Sequence, residues 1–140
     1  MNDCNIKKCK NEFEASREYE IKTKELSAIY MKLTTVNNIK GVDKLYKEFE
    51  KKALKSPQII YSRCVYSKCK KLMLKNFTLL LDTLKRIYYN KINILHSYVP
   101  EIIKRGDALL KKNTYTDSDI LQMSFYLILG VVAVSTGKKP

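Results

Sequence analysis

Apolar positions in the first part of the chain recur at the spacing of a helix rather than that of a strand. In residues 11–36 they fall at Leu26, Ile29, Tyr30, Leu33 and Val36. Intervals of three and four place these side chains on one face of a helix. Asn37 and Asn38 interrupt the pattern, so we expect the first helix to end there.

The clearest amphipathic pattern follows Gly41. Its apolar positions are Val42, Leu45, Tyr46, Phe49 and Ala53. The pattern stops at Ser56 and Pro57, where Ser56 can cap a new helix and Pro57 suits its first position. We therefore expect a second helix to end shortly before Ser56.

From residue 58 to about residue 99 the pattern continues without Gly or Pro. Its apolar stripe consists of Leu74, Phe77, Leu81, Leu84, Tyr88, Ile92, Leu95 and Tyr98. One unbroken helix of this length would measure about 60 Å. Because that is long for a domain of this size, we expect either a kink near Asn76 or Asn90 or an end that projects from the domain.

Proline and glycine divide the next part of the chain. Pro100 suits the start of a further helical segment, and Gly106 is expected to interrupt it. Thr116, Asp117 and Ser118 then offer caps for a last helix over residues 119–134.

The last helix is apolar on nearly all sides. Its longest apolar stretch, residues 120–134, would span about 22 Å, whereas a hydrocarbon core is about 30 Å thick. We therefore expect a buried core helix rather than a membrane span.

Together these segments predict one all-α domain over residues 1–140. The expected architecture is an antiparallel four-helix bundle with one long, kinked central helix. Residues 1–10 are expected to be a flexible N-terminal segment, and residues 135–140 an exposed C-terminal tail. The low content of turn-forming residues, 4 Gly and 3 Pro, argues against a β-sandwich.

The positive charge is the feature of the composition that bears most on what the protein could bind. The chain has 27 basic and 14 acidic side chains, a net charge of +13. Residues 56–112 hold 12 of the basic and only three of the acidic ones. The densest group is Arg63, Lys68, Lys70, Lys71 and Lys75, with Tyr66 among them. This group is a candidate binding site for a protein partner or a polyanion; the alternative is a solvated helix face.

The four cysteines form two similar pairs, Cys4 with Cys9 and Cys64 with Cys69. Metal sites use tighter spacing than these C-x4-C pairs, and residues five apart on a helix point away from each other. Neither a metal site nor a bond within the second pair is therefore favoured. Disulfides between the pairs and free thiols both remain open, and with them the compartment, although Met1–Lys10 lacks the apolar stretch of a signal peptide.

Catalytic motifs are missing from the sequence. His96 is the sole histidine, which excludes a catalytic triad of the usual kind and a multi-histidine metal site. The glycines do not form a phosphate-binding loop. We therefore expect a non-enzymatic helical protein, without a cofactor or small-molecule substrate, that binds another macromolecule through its basic surface. A protein is the leading partner; an anionic membrane surface, with insertion of the apolar last helix, or a nucleic acid is the alternative.

Overall fold

A computed structural model describes residues 6–15, 19–54, 57–91 and 95–136 of the chain. Within these ranges the regular structure is entirely helical, which confirms the predicted all-α class. The helices are α1 (Ile6–Glu14), α2 (Tyr19–Lys32), α3 (Ile39–Ala53), α4 (Pro57–Asn90), α5 (Val99–Leu110) and α6 (Asp117–Thr136).

The first predicted helix, over residues 11–36, corresponds to two helices, α1 and α2. Helix α1 begins at Ile6, inside the segment expected to be flexible, and its Cys9 is fully buried. Sequence periodicity missed residues 6–10 of this helix, and its separation from α2, because α1 has nine residues and few apolar ones. It packs on α4 instead of standing alone.

Helix α3 is the amphipathic segment predicted after Gly41, with its start two residues earlier at Ile39. The Oδ1 atom of Asn38 accepts a hydrogen bond from the Gly41 amide at 2.8 Å, so Asn38 is the N-cap. Val42, Leu45 and Phe49 face the core. The pair of asparagines interrupts the helical pattern, as predicted, and Asn38 in addition starts the next helix, which the sequence analysis placed at Gly41.

Helix α4 is long and kinked; its kink lies before both of the predicted positions, Asn76 and Asn90, but the helix ends at the second of them. The backbone leaves helical geometry at Cys69 (φ −132°, ψ 33°), rather than at Asn76, and the helix ends at Asn90. Lys91 then adopts a positive φ of 52°. The apolar stripe continues in the sequence to Tyr98 because Tyr98 returns to the core after the turn. The spacing of apolar residues alone does not distinguish such a return to the core from a continuous helix.

Helix α5 passes through Gly106 without the predicted interruption. A Cβ atom at Gly106 would lie 2.6 Å from a methyl carbon of Leu81 on α4. The glycine therefore permits a close approach of α5 to α4 instead of breaking the helix.

Helix α6 is a core helix, as predicted, and it continues two residues into the expected tail, to Thr136. The Asp119 amide donates to Thr116 Oγ1 at 3.1 Å, and the Thr116 amide donates to Asp119 Oδ2 at 3.0 Å. This reciprocal pair is a capping box. Buried α6 residues include Leu121, Phe125 and Leu129.

Helices α4 and α6 run parallel to each other. Arg63 and Asp117 meet near their starts, and Leu80 lies against Gly130 further along both. Phe125 joins α6 to α3 through Phe49, with ring centroids 5.3 Å apart. Because α4 and α6 run parallel, the first half of α4, which carries the basic residues, lies beside the first half of α6.

Candidate binding surface

Arg63, the first residue of the predicted basic site, forms a contact between α4 and α6. Its guanidinium donates two hydrogen bonds to Asp117 at the start of α6, one of them from Nε to Oδ1 at 3.0 Å. These bonds raise the pKa of Arg63 and lower that of Asp117. Arg63 therefore ties α4 to α6 rather than offering a free charge.

Tyr66 and Lys70 are likewise engaged within the fold. The Tyr66 ring meets the Tyr115 ring edge-on, with centroids 5.8 Å apart. The Lys70 ammonium lies 5.6 Å from the Tyr66 centroid and 5.8 Å from that of Tyr115, in cation–π range. Tyr66 is thus not a free platform for stacking a base.

Lys68, Lys71 and Lys75 remain as exposed cations of the predicted site. Within the described ranges none of the three has a carboxylate within the 4.0 Å of an ion pair. We call these three residues the α4 basic surface. They begin one residue before the kink at Cys69 and continue beyond it as far as the residue before Asn76.

A disulfide joins Cys9 of α1 to Cys64 of α4, with Cα atoms 5.7 Å apart. This confirms a bond between the two cysteine pairs, which the sequence analysis gave as one of two alternatives. Cys69 is also disulfide-bonded, so none of the three described cysteines is a free thiol. Cys4, the remaining residue of that prediction, lies outside the described residues.

A second row of lysines, on α3, was missed in the sequence. Lys40, Lys44, Lys47 and Lys51 are all exposed and follow intervals of four, three and four. At 100° per residue they lie on one line opposite the buried face of α3. We call this row the α3 lysine row. The same spacing test that found the apolar face would have found it.

The acidic residues of α3 turn away from that row towards neighbouring helices. Asp43 accepts bonds from Arg105 of α5, at 2.6 and 3.2 Å, and Arg105 also donates to Tyr126 of α6. Glu48 lies 3.8 Å from Lys32 of α2. The acids thus help to join helices, while the row itself has no apolar or aromatic member.

Two cavities lie between α4 and α6, and the sequence analysis predicted neither. The first, of 190 Å³, is lined by residues of the kinked part of α4, including Cys69, Leu72 and Met73, and by Ile120 and Leu127 of α6. The second, of 290 Å³, is lined by three residues of α4 and three of α6: Leu79, Leu80, Thr83, Val131, Val134 and Ser135. Their lining is largely apolar, and neither is lined by a charged side chain.

His96, the sole histidine, belongs to a structural contact near the end of α6. Its ring stacks on Tyr98 with centroids 5.2 Å apart, and its Nε2 lies 2.7 Å from Thr136 Oγ1. The Tyr98 hydroxyl is buried without a hydrogen-bond partner, as found for the described residues, and burial raises its pKa to about 12. No carboxylate takes part in this contact.

Helix α6 is also the one helix of the described chain whose length and composition would allow it to cross a membrane. Half of its most apolar window is buried inside the protein. A core helix passes the same test, and α6 packs on α3, α4 and α5. Among the described residues, no group of three or more His, Cys, Asp or Glu side chains is placed to hold a metal ion.

Comparison with known proteins adds no relative: no family model, curated protein or solved structure matches the chain.

Proposed function

We propose that this chain is a non-enzymatic helical interaction protein that binds an acidic partner protein through the α4 basic surface, Lys68, Lys71 and Lys75. One observation carries the proposal. These three cations are exposed without an ion-pair partner among the described residues, and they lie on the α4 turns that border the apolar cavity between α4 and α6. The α3 lysine row is exposed as well, but it has no apolar member beside its charges. An unpaired cluster of one sign attracts a partner of the opposite sign.

The scaffold that we propose is an antiparallel four-helix arrangement of α3 to α6, with α1 and α2 packed outside it. In an up-down-up-down arrangement alternate helices run parallel. The parallel course of α4 and α6 agrees with this arrangement. So does the network in which Arg105 of α5 reaches Asp43 of α3 and Tyr126 of α6.

A protein partner is favoured over a nucleic acid by the kind of side chain that is free. The cations of the α4 basic surface are lysines, which act as point charges and lack the planar, bidentate guanidinium that reads bases and phosphates. Stacking of single-stranded bases needs a free aromatic face, and Tyr66 already packs against Tyr115. Binding of a nucleic acid or an anionic membrane stays the second candidate, because either would also be attracted by the +13 charge.

The test compares two variants of equal charge change. Lys68→Glu/Lys71→Glu/Lys75→Glu reverses the α4 basic surface, and Lys44→Glu/Lys47→Glu/Lys51→Glu reverses the same number of charges on the α3 lysine row. Binding to polyglutamate, duplex DNA and phosphatidylserine vesicles is measured by fluorescence anisotropy or co-sedimentation across a range of salt concentrations.

We expect the α4 variant to lose about tenfold or more in affinity for polyglutamate and the α3 variant to lose clearly less. Equal losses would mean that net charge alone attracts the ligand, and would contradict the proposal. Tighter binding of DNA or vesicles than of polyglutamate, with affinity falling steeply in salt, would favour the second candidate.

A further inference from the structure

The two cavities follow one another along the line where α4 packs beside α6, and we call this line the groove. The α4 and α6 residues lining the second cavity both follow those lining the first along the chain. Because the two helices run parallel, the cavities are arranged one after the other between them. The first cavity is bordered by the same α4 turns that bear Lys68, Lys71 and Lys75.

The walls of the groove carry exposed apolar side chains. Leu79 on the α4 wall is 54% exposed and Val131 on the α6 wall is 60% exposed. Leu80, Leu127 and Val134 lie half-buried between them. Contiguous exposed apolar surface beside a polar rim is typical of a protein interaction site.

Charge is distributed unequally over the two walls. Lys75 and Arg86 are exposed and lie within about 40° of Leu79 around the α4 axis. Asp82, also exposed, is the one acidic residue of α4 and lies further from the groove, about 60° beyond Leu79. Residues 120–136, which form the α6 wall, contain no charged side chain.

We infer that this groove receives an amphipathic helix of a partner protein, with acidic residues along one edge of its apolar face only. The charged part of the inference rests on the proposed function. Leucine-like side chains of the helix, at intervals of three and four, would fill the two cavities in turn. Its acidic edge would face Lys75 and Arg86, because a carboxylate on the other edge would lose water against α6 without gaining a cation.

A helix suits this groove better than an extended strand does. Most groups lining the cavities are apolar, so they offer few hydrogen-bond partners to a peptide backbone. A strand would bury unpaired amides and carbonyls there, whereas a helix satisfies its own. A lipid bilayer presents a flat surface to the groove and is the alternative that the test must separate.

The test uses the intact, disulfide-bonded chain and three synthetic helical peptides of about 18 residues. All three carry the same leucine stripe. The first has glutamates along one edge of it, the second along both edges and the third along neither. Binding is measured by fluorescence anisotropy, and vesicles of phosphatidylserine and phosphatidylcholine serve as the bilayer probe.

We expect the one-edge peptide to bind about tenfold more tightly than the other two. Leu79→Asn/Val131→Asn should reduce the affinity of the one-edge peptide by about tenfold or more. Arg86→Gln should reduce the difference in affinity between the one-edge peptide and the peptide without glutamate. Met31→Asn/Leu54→Asn is the control, because these side chains are also exposed but lie on α2 and at the end of α3. This pair should leave binding unchanged.

Equal affinities of the three peptides would overturn the inference. So would an affinity of the one-edge peptide that does not change with Leu79→Asn/Val131→Asn. Binding of the vesicles but of no peptide would do so as well. The two proposals can fail separately. If Leu79→Asn/Val131→Asn abolishes peptide binding while the α4 triple variant keeps full affinity for polyglutamate, the groove is supported and the proposed function is rejected. The opposite pattern rejects the groove and leaves the proposed function in place.

Discussion

The two parts of α4 are attached to the rest of the protein in different ways. Before Asn76, the buried side chains among those described are Ser62 and Cys69. After it, Phe77, Leu81 and Leu84 are all at most 1% exposed and belong to the main core. The first part adds only partly buried apolar side chains to that core, such as Met73 and Leu74. It is held in addition by disulfides, by the Arg63–Asp117 pair and by the contact of Tyr66 with Tyr115.

This difference explains how a basic, poorly buried segment keeps a defined position. Apolar burial contributes in proportion to the area removed from water, and the first part of α4 buries little of it. A covalent bond to α1 and contacts with α6 replace that contribution. The lysines that face solvent can therefore remain unpaired without releasing the segment from the fold.

The largest expected effect comes from breaking the covalent attachment. Reduction and alkylation of the cysteines opens the loop of 55 residues between Cys9 and Cys64. The chain-entropy model assigns about 4 kcal/mol to a crosslink that closes a loop of this length. Because reduction also breaks the disulfide at Cys69, denaturant unfolding of the reduced, alkylated protein should show a loss of at least about this size in the free energy of unfolding.

Hydrogen exchange on the same samples shows where that loss occurs. After reduction, amides of α1 and of α4 before Cys69 should exchange faster than those around Leu81, relative to the oxidised protein. Protein treated with the alkylating agent alone is the control, since the described cysteines are all bonded. A uniform increase of exchange over all of α4 would contradict the division into two parts.

Breaking the packing of the second part should cost almost as much. Leu81→Ala removes a side chain that is 1% exposed and lies against Gly106 of α5. We expect a loss of about 3 kcal/mol in the free energy of unfolding, measured by denaturant titration. Leu79→Ala, on the exposed face of the same helix, is the matched control and should cost far less. Similar losses for both would mean that α4 does not bury the face described here.

Much of the fold could be predicted because apolar spacing and caps are local signals. The break at Asn37 and Asn38, the buried face of α3 and the caps before α6 were all visible as short patterns. The end of α4 was not, since Tyr98 belongs to the same stripe in sequence but reaches the core from a different helix. Gly106 was misinterpreted for a related reason: its role depends on Leu81, which is far away in the chain.

The binding site could be predicted only in part. The positions of the basic residues can be read from the sequence, but their partners cannot. Arg63 and Lys70, which are engaged within the fold, could therefore not be distinguished from the free Lys68 and Lys75. Their partners, Asp117 and Tyr115, are about fifty residues distant in the chain. The groove forms because α4 and α6, which are separated in the chain by α5, run parallel in the fold. No local sequence pattern indicates this arrangement.

The smallest expected effect concerns Asp119, which fixes the start of α6 beside the first part of α4. Burial alone would raise the pKa of its carboxyl, but hydrogen bonds from Lys112 and Thr116 outweigh burial and lower it. Because the folded protein then binds this proton less readily than the unfolded chain, the carboxylate stabilises the fold above its ordinary pKa. That contribution disappears as the pH falls through the lowered pKa.

Asp119→Asn should therefore cost about 1 kcal/mol in the free energy of unfolding near neutral pH. The cost should shrink as the solution is acidified, because the wild-type carboxyl is then neutral as well. Denaturant titrations at several pH values between neutral and strongly acidic measure this difference. Asp82→Asn, at an exposed position of α4, is the control and should leave stability near neutral pH unchanged. A cost of Asp119→Asn that stays constant with pH would mean that the charge of Asp119 does not hold the start of α6, and that the first part of α4 relies on its disulfides and on Arg63 instead.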